Sequence, residues 1–467
     1  MISSSHTHSV YRLLSTLKKN HNKMNEMSNN SNIIKLETLN TFLIKPSKPT
    51  PPNLKIFKLS LLDQLSPNIH GNSTFFFPHS HNNSFSHNSN LLQTSLSQTL
   101  SLFYPFAGRL QDGTGSTILC NDDDGVLFIE SQTTITLSQL LTTPDLNTLE
   151  CFLPVPTMEN KNMLLLLRFT SFTCGSTALT ISLTHKITDF NTFITFLKTW
   201  TTLCAAAKPV PLPDLTTAST LFPPRDLPEM SASYKPSSKN FTSRRFIFHA
   251  CKIEQLKRKI KSETEFQPSR VEVVLALIWK SALSASRSKT QSFKRSVLFQ
   301  AVNLRPRMEP AVPETAVGNF VWSFVVTVEE ESHMVLHEIV KRMRNGMKEF
   351  IEKEAKTFKE EGGFKVVMES FKDRVEILTE NENEGSMVIY KCSSWCKFPV
   401  LEIDFGLGKP VWNCCVNKLV SNTIALMDTK DGNGVEAFVT LDEDDMELFE
   451  KDEELLHYGV LNPRIII

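Results

Sequence analysis

The residues best able to do chemistry stand together in His185-Lys-Ile-Thr-Asp189, an H-x-x-x-D. An imidazole titrates near neutral pH and can take a proton from a hydroxyl that is too weak an acid to ionise by itself. A carboxylate four residues on shares a face with it if the chain there is a continuous helix, and could then orient the ring. The plainer alternatives stay open: Asp189 as the N-cap of a helix starting at Phe190, and His185 as a buried histidine with its hydrogen bonds satisfied. A second group is Asp404-Phe-Gly-Leu-Gly408, where Gly406 and Gly408 beside Asp404 imply a tight, sterically special turn. A third is the basic run Lys257, Arg258, Lys259 and Lys261, with Arg244 and Arg245 upstream. It reads either as a solvated helix face or as a site for phosphates. There is no GxxxxGK[ST], GxGxxG, GxSxG or HExxH, which argues against a nucleotide loop, a serine hydrolase elbow and a zincin helix.

The elements around these residues follow from hydrophobic period. Ala178 to Thr184 alternates, with Leu179, Ile181 and Leu183 on one face and Thr180, Ser182 and Thr184 on the other, as in a strand. Phe190, Phe193, Ile194, Leu197 and Trp200 then recur at helical spacing. His185 therefore falls at a strand-to-helix junction, where rigid elements display functional side chains. Strands are expected at 36–44, 163–170, 244–250, 296–302, 388–390, 400–405, 419–427 and 434–441. Helices are expected at 91–104, 253–261, 270–285, 333–359 and 442–456. The stretch 66–92 reads as a strand through Phe75 to Phe77 followed by a polar mobile loop. Seven prolines between 207 and 240 mark a linker. Strands and helices mix in both halves, which predicts α/β layers.

A chain of 467 residues suits two domains of about 200 residues each. With 50 basic and 50 acidic side chains the formal net charge is zero, so nothing draws the whole molecule to nucleic acid or an anionic membrane. No apolar run reaches the length of a membrane-spanning helix. The nine cysteines fit neither a disulfide framework nor a metal-ligand spacing and read as reduced thiols; no metal is expected. Residues 1–33, rich in Ser, Asn, His and Lys, read as a disordered extension, with organelle targeting as the alternative.

Taken in order, the motifs resemble those of the BAHD acyltransferases of plants, from about Leu36 to the C-terminus. The opening Ile44-Lys-Pro-Ser-Lys-Pro-Thr-Pro51 and Leu59-Ser-Leu-Leu-Asp-Gln64 fit, as does Tyr104-Pro-Phe-Ala-Gly-Arg-Leu110. So do the H-x-x-x-D at 185–189, Val302-Asn-Leu-Arg-Pro-Arg307, Gly318-Asn319, Ser394-Trp-Cys396 and the Asp404–Gly408 segment, which stands where the family has DFGWG. The resemblance implies an α/β fold of two chloramphenicol-acetyltransferase-like domains with a solvent tunnel between them. Residues 34–206 would form the first, 207–243 the crossover linker and 244–467 the second. It implies an enzyme that esterifies a hydroxyl of a plant specialised metabolite such as an alkaloid, with an acyl-CoA (acetyl-CoA by the vinorine-synthase-like tone of the segments) as co-substrate and no resident cofactor. An amine acceptor, or a catalytically silent binding relative, are the competing readings.

In that reading His185 is the general base. Asp189 pairs with an arginine, Arg305 before Arg307, and shapes the loop. Asp404, Gly406 and Gly408 are structural. A cytoplasmic monomer is expected. Two departures stand out: Leu407 in place of the family's tryptophan, expected to alter packing and not activity, and Phe190 where the family commonly has a small residue, expected to narrow the acceptor side.

Overall fold

The computed structural model describes residues 34–79, 83–111, 115–121, 124–154, 162–227, 240–290, 292–384, 387–416 and 421–467. The N-terminal extension and residues 228–239 of the proline-rich stretch lie outside the described residues.

Two sheets carry the chain. In order along the sequence the main strands are β1 (Leu36–Ile44), β2 (His70–Phe77), β3 (Val126–Thr133), β4 (Leu165–Ser171), β5 (Thr177–Thr184), β6 (Phe241–Phe248), β7 (Arg295–Asn303), β8 (Val321–Val328), β9 (Met387–Ser394), β10 (Trp412–Cys414), β11 (Thr423–Asp428), β12 (Val435–Asp442) and β13 (Val460–Leu461). The first sheet runs β1-β3-β4-β5-β2-β10, the second β8-β7-β9-β11-β12-β6-β13. The first is thus built from residues 36–184 with one exception: β10, from the far end of the chain, adds to its edge antiparallel to β2, Asn413 opposite Phe75.

Helices cover these sheets: α1 (Leu61–Leu65), α2 (Phe85–Leu102), α3 (Phe190–Cys204), α4 (Ala250–Lys261), α5 (Arg270–Thr290), α6 (Leu336–Phe350) and α7 (Gly363–Glu384). The α3 apolar stripe, with Phe193, Phe196, Leu197 and Trp200 buried, packs against α2 over the first sheet. The central part of α5, Val273 to Trp279, is wholly buried in the second core, so polarity leaves no clean stripe there and length alone marks it as a helix.

Several expectations are corrected. Helix α2 begins at Phe85, six residues before the apolar pattern, because Ser84 caps it by accepting from the His87 N–H. Its first turns are polar and mostly exposed, but Asn88 and Ser89 are buried, and the Ser89 hydroxyl joins the Asn40 amide of β1 on the Glu130 carboxylate. Residues 400–405 form no strand; Val400–Glu402 is a 3₁₀ turn. The charged helix expected over 333–359 stops at Phe350, passes through a π turn (Ile351–Ala355) and is followed by α7, which the pattern does not mark, nor does it mark β8. The acidic segment at 442–456 is two helices, Glu443–Phe449 and Glu453–Tyr458. Asp452 interrupts it by capping the second, accepting from the Leu455 N–H at 2.7 Å.

Candidate active site

His185 follows β5 directly. The last ladder contact is its own N–H, donated to the Ile69 carbonyl at 2.8 Å. The chain then leaves the sheet through Lys186–Asp189 and enters α3. The segment is therefore not a continuous helix, and the side chains of His185 and Asp189 do not pair with each other. Instead the His185 Nδ1 lies 3.0 Å from the Thr188 carbonyl oxygen. A carbonyl only accepts, so Nδ1 carries the proton and Nε2 keeps its lone pair. Burial pushes the imidazole below its ordinary value near 6.5, against the opposing pull of the Thr188 carbonyl and the Asp189 charge. The ring is thus neutral at neutral pH, which is the form a base requires.

Asp189 does two things. Its Oδ1 accepts from the Thr192 N–H at 2.8 Å, capping α3. It also forms a buried fork with Arg305: Nη1 to Oδ2 at 2.5 Å and Nη2 to Oδ1 at 3.2 Å, with both residues at most 5% exposed. The Phe320 N–H adds a fourth donor at 2.9 Å. Arg305 Nη2 also reaches the Ala316 carbonyl at 2.8 Å. Arg307 stays apart and donates to the Asn303 carbonyl.

A cavity with about 870 Å³ of empty space, counting its open mouth, lies between the two halves. Gly71, Leu183, His185 and Phe190 line it from the first half; Val302, Asn303, Val321 and Trp395 line it from the second. At Gly71 the wall is bare beside the base: a β-carbon there would sit 3.4 Å from the His185 Nε2. Phe190 lies flat on Trp395, centroids 4.5 Å apart and planes within 1°, and Phe398 meets it edge-on at 5.1 Å. Aromatic rings from both halves thus close one side. No lysine or arginine appears among the described lining residues.

The other flagged residues lie elsewhere. Asp404 Oδ1 accepts from the Gly406 and Gly408 N–H groups at 2.8 and 3.0 Å, and both glycines have positive φ, +81° and +84°. This closes a turn that does not line the cavity, while Leu407 is buried in the first core. Two residues of the basic run and the two arginines upstream are ion-paired. Lys257 binds Glu254, Lys259 binds Glu454, Arg244 binds Glu450 and Arg245 binds Glu436. None of these lines the cavity beside His185. All nine cysteines are free thiols. Among the described residues no group of His, Cys, Asp and Glu gathers that could hold a metal.

Two residues that bear on the site carry no chemical signal of their own in the sequence. Asp63 and Asn319 are buried and joined to the His185 main chain. Their only trace is local: Ser60 and Asp63 stand at capping-box spacing, and Gly318-Asn319 belongs to the family-like motifs.

The comparisons agree with this frame. The profile of the Transferase family matches residues 34–456. The chain belongs to this family, the BAHD acyltransferases, and is an acyltransferase enzyme. Akuammiline synthase 1 of Alstonia scholaris is 36% identical over 428 residues, covering 91% of this chain and 98% of that protein. The 17,18-epoxy-17-hydroxycur-19-ene N-malonyltransferase of Strychnos nux-vomica is 32% identical over 431 residues, covering 91% of each. The crystal structure of vinorine synthase superposes with a TM-score of 0.79 at 32% identity, over 92% of this chain and all of that one. The fold is accordingly the two-domain, chloramphenicol-acetyltransferase-like fold of this family. Like its family, the chain uses an acyl-CoA as co-substrate and acts on small-molecule acceptors.

Proposed function

We propose that this enzyme transfers an acetyl group from acetyl-CoA to a hydroxyl of a neutral, largely apolar plant metabolite of alkaloid or terpenoid type. The observation that carries the reading is the neutral imidazole of His185, with Nδ1–H committed to the Thr188 carbonyl and Nε2 turned to a cavity whose walls combine aromatic and aliphatic groups with the uncharged polar side chains of Asn72, Ser73, Asn191, Asn303, Ser393 and Ser394.

In this reading the acceptor hydroxyl approaches Nε2 over Gly71. Nε2 takes its proton as the oxygen attacks the thioester carbonyl carbon. The tetrahedral oxyanion collapses, the C–S bond breaks, and the imidazolium returns the proton to the departing sulfur. Asn303 lines the cavity, and its Oδ1 is engaged by the Arg305 N–H at 3.1 Å. This leaves its amide hydrogens as the donor we assign to the oxyanion. Asp189 and Arg305 hold the loop.

The walls support this choice of acyl group and acceptor. A malonyl carboxylate would meet no lysine or arginine among the described lining residues, whereas an acetyl group needs none. Phe190 against Trp395 favours a flat, apolar acceptor and limits its bulk. An amine acceptor is the second reading, on the strength of the N-malonyltransferase relative.

Thiol release from acetyl-, malonyl- and benzoyl-CoA should be measured with panels of alkaloid and terpenoid alcohols and amines, with product mass as the second readout. Acetyl transfer to alcohols is expected. Amide products alone would replace the ester reading, and a clear preference for malonyl-CoA would overturn the donor assignment.

A further inference from the structure

Resting on the reading of His185 as the base, we propose that Asn319, held by Asp63, is a positioning residue that fixes the main chain of His185 from the opposite half of the molecule. The carbonyl of His185 emerges where β5 ends, so no strand neighbour is available to it. The Asn319 Nδ2 supplies the missing donor at 2.7 Å. The same nitrogen donates its second hydrogen to Asp63 Oδ1 at 2.8 Å, and the Asn319 backbone N–H donates to that oxygen at 2.7 Å.

Asp63 is itself fixed. Ser60 Oγ donates to its Oδ2 at 2.6 Å and the Ser60 N–H at 3.2 Å, within the capping box of α1. The next residue, Gln64, gives its carbonyl to Lys186 Nζ at 2.8 Å. Helix α1 therefore grips the catalytic loop twice, once directly and once through Asn319.

The orientation of the amide carries the argument. Nδ2 faces two acceptors, which only a donor can satisfy, and this leaves Asn319 Oδ1 buried with no partner. An asparagine that served only to fill space would be free to turn and satisfy its oxygen. Here the donor side is committed to Asp63 and to His185. The backbone supports this geometry: Gly318 has φ +132°, and a β-carbon there would lie 2.8 Å from the Ala218 methyl and 3.4 Å from Asp63 Oδ2. Only glycine at 318 lets the chain bring Asn319 in so closely.

The His185–Asp189 loop is thereby fastened at both ends to residues 303–320. Asn319 holds the His185 carbonyl and Arg305 holds the Asp189 carboxylate. The base keeps its place only while the two halves are docked.

The test compares Asn319→Ala with Ser60→Ala, which removes a cap hydrogen bond on the far oxygen of Asp63 but leaves Asn319 in place. Both are assayed on full-length protein shown folded by circular dichroism at 20 °C. Asn319→Ala is expected to lower kcat at least tenfold, with the KM for acetyl-CoA within twofold. It should also raise the rate of diethyl pyrocarbonate modification of His185, read by mass spectrometry. Ser60→Ala, one step further from His185, is expected to lower Tm and to move kcat and the labelling rate in the same direction by a smaller factor than Asn319→Ala. If Asn319→Ala does not fold, Asn319→Ser takes its place, since serine still offers Asp63 a donor but is too short for the His185 carbonyl. Unchanged His185 labelling in the folded variant overturns the proposal whether or not a substrate is found. A parent protein inactive with acetyl-CoA, with faster labelling in the variant, would sink the proposed donor and acceptor and leave the positioning role standing.

Discussion

The loop at 185–189 and the turn at 404–408 are the chain's two most motif-like segments, and they are held by opposite means. The first is fastened by partners far away in sequence: Asn319 on the His185 carbonyl, Gln64 under Lys186, Arg305 and the Phe320 N–H on Asp189. The second closes on itself, Asp404 accepting from two N–H groups within four residues, its carboxylate exposed. What it sends elsewhere is apolar: Phe405 meets Trp200 edge-on at 4.7 Å, and Leu407 enters the same core. A reacting group has to be held by partners that arrive from different directions, because a single local turn leaves it free to swing. A packing turn needs only its own backbone and two buried side chains.

That contrast is sharpest at His185. His185→Ala is expected to cut kcat by roughly 10²- to 10⁴-fold with the fold intact, checked by thiol release alongside circular dichroism. Next comes the buried pair. Asp189→Ala leaves the Arg305 guanidinium uncompensated and should cost about 3–5 kcal/mol of stability, seen in urea denaturation, with kcat falling because the loop is released. Should Asp189→Ala be as stable as the parent, the account of how the loop is fastened fails.

Acid should act on the same region. His70, whose Nε2 lies 3.0 Å from the Met163 carbonyl, is pushed by burial from 6.5 to about 4. His185 is shifted in the same direction. A histidine with a lowered folded value binds its proton more readily in the unfolded chain, so it costs stability as pH falls through the window from 6.5 to about 4. The loss attributable to His70 is on the order of 3 kcal/mol. His70→Gln should flatten the fall of Tm across that window. By the same shift, the acid limb of kcat/KM should have its midpoint below 6.5. A midpoint above it would mean that the base is not the buried imidazole.

The smallest effect belongs to the turn. Asp404→Ala loses two exposed hydrogen bonds, a cost of about 1–2 kcal/mol in Tm-derived stability, with kcat within about twofold of the parent. A catalytic defect in Asp404→Ala as large as that of Asp189→Ala would erase the distinction between the two segments.

How far the sequence could be read depended on whether a pattern is local. Alternation over 178–184 followed by helical spacing from Phe190 placed His185 at its junction, because side-chain period and backbone geometry are tied residue by residue. The same logic misled at 400–405. Ile403, Phe405 and Leu407 are buried and the residues between them exposed, a period of two without a neighbouring strand. Alternation reports which side chains are buried; it does not report whether the backbone finds a partner. The acidic stretch at 442–456 went wrong for another local reason, a mid-segment aspartate that caps a new helix.

The sequence by itself therefore determined the family, the α/β class, the candidate base and its carboxylate, since these rest on residue types at short, fixed spacings. Tertiary structure alone decided that Asp189 faces Arg305 across 116 residues, that Asn319 reaches His185 across 134, and that a three-residue strand from the end of the chain completes the first sheet. Those contacts depend on how two cores dock. No local propensity encodes the distance between groups that meet only after both have formed.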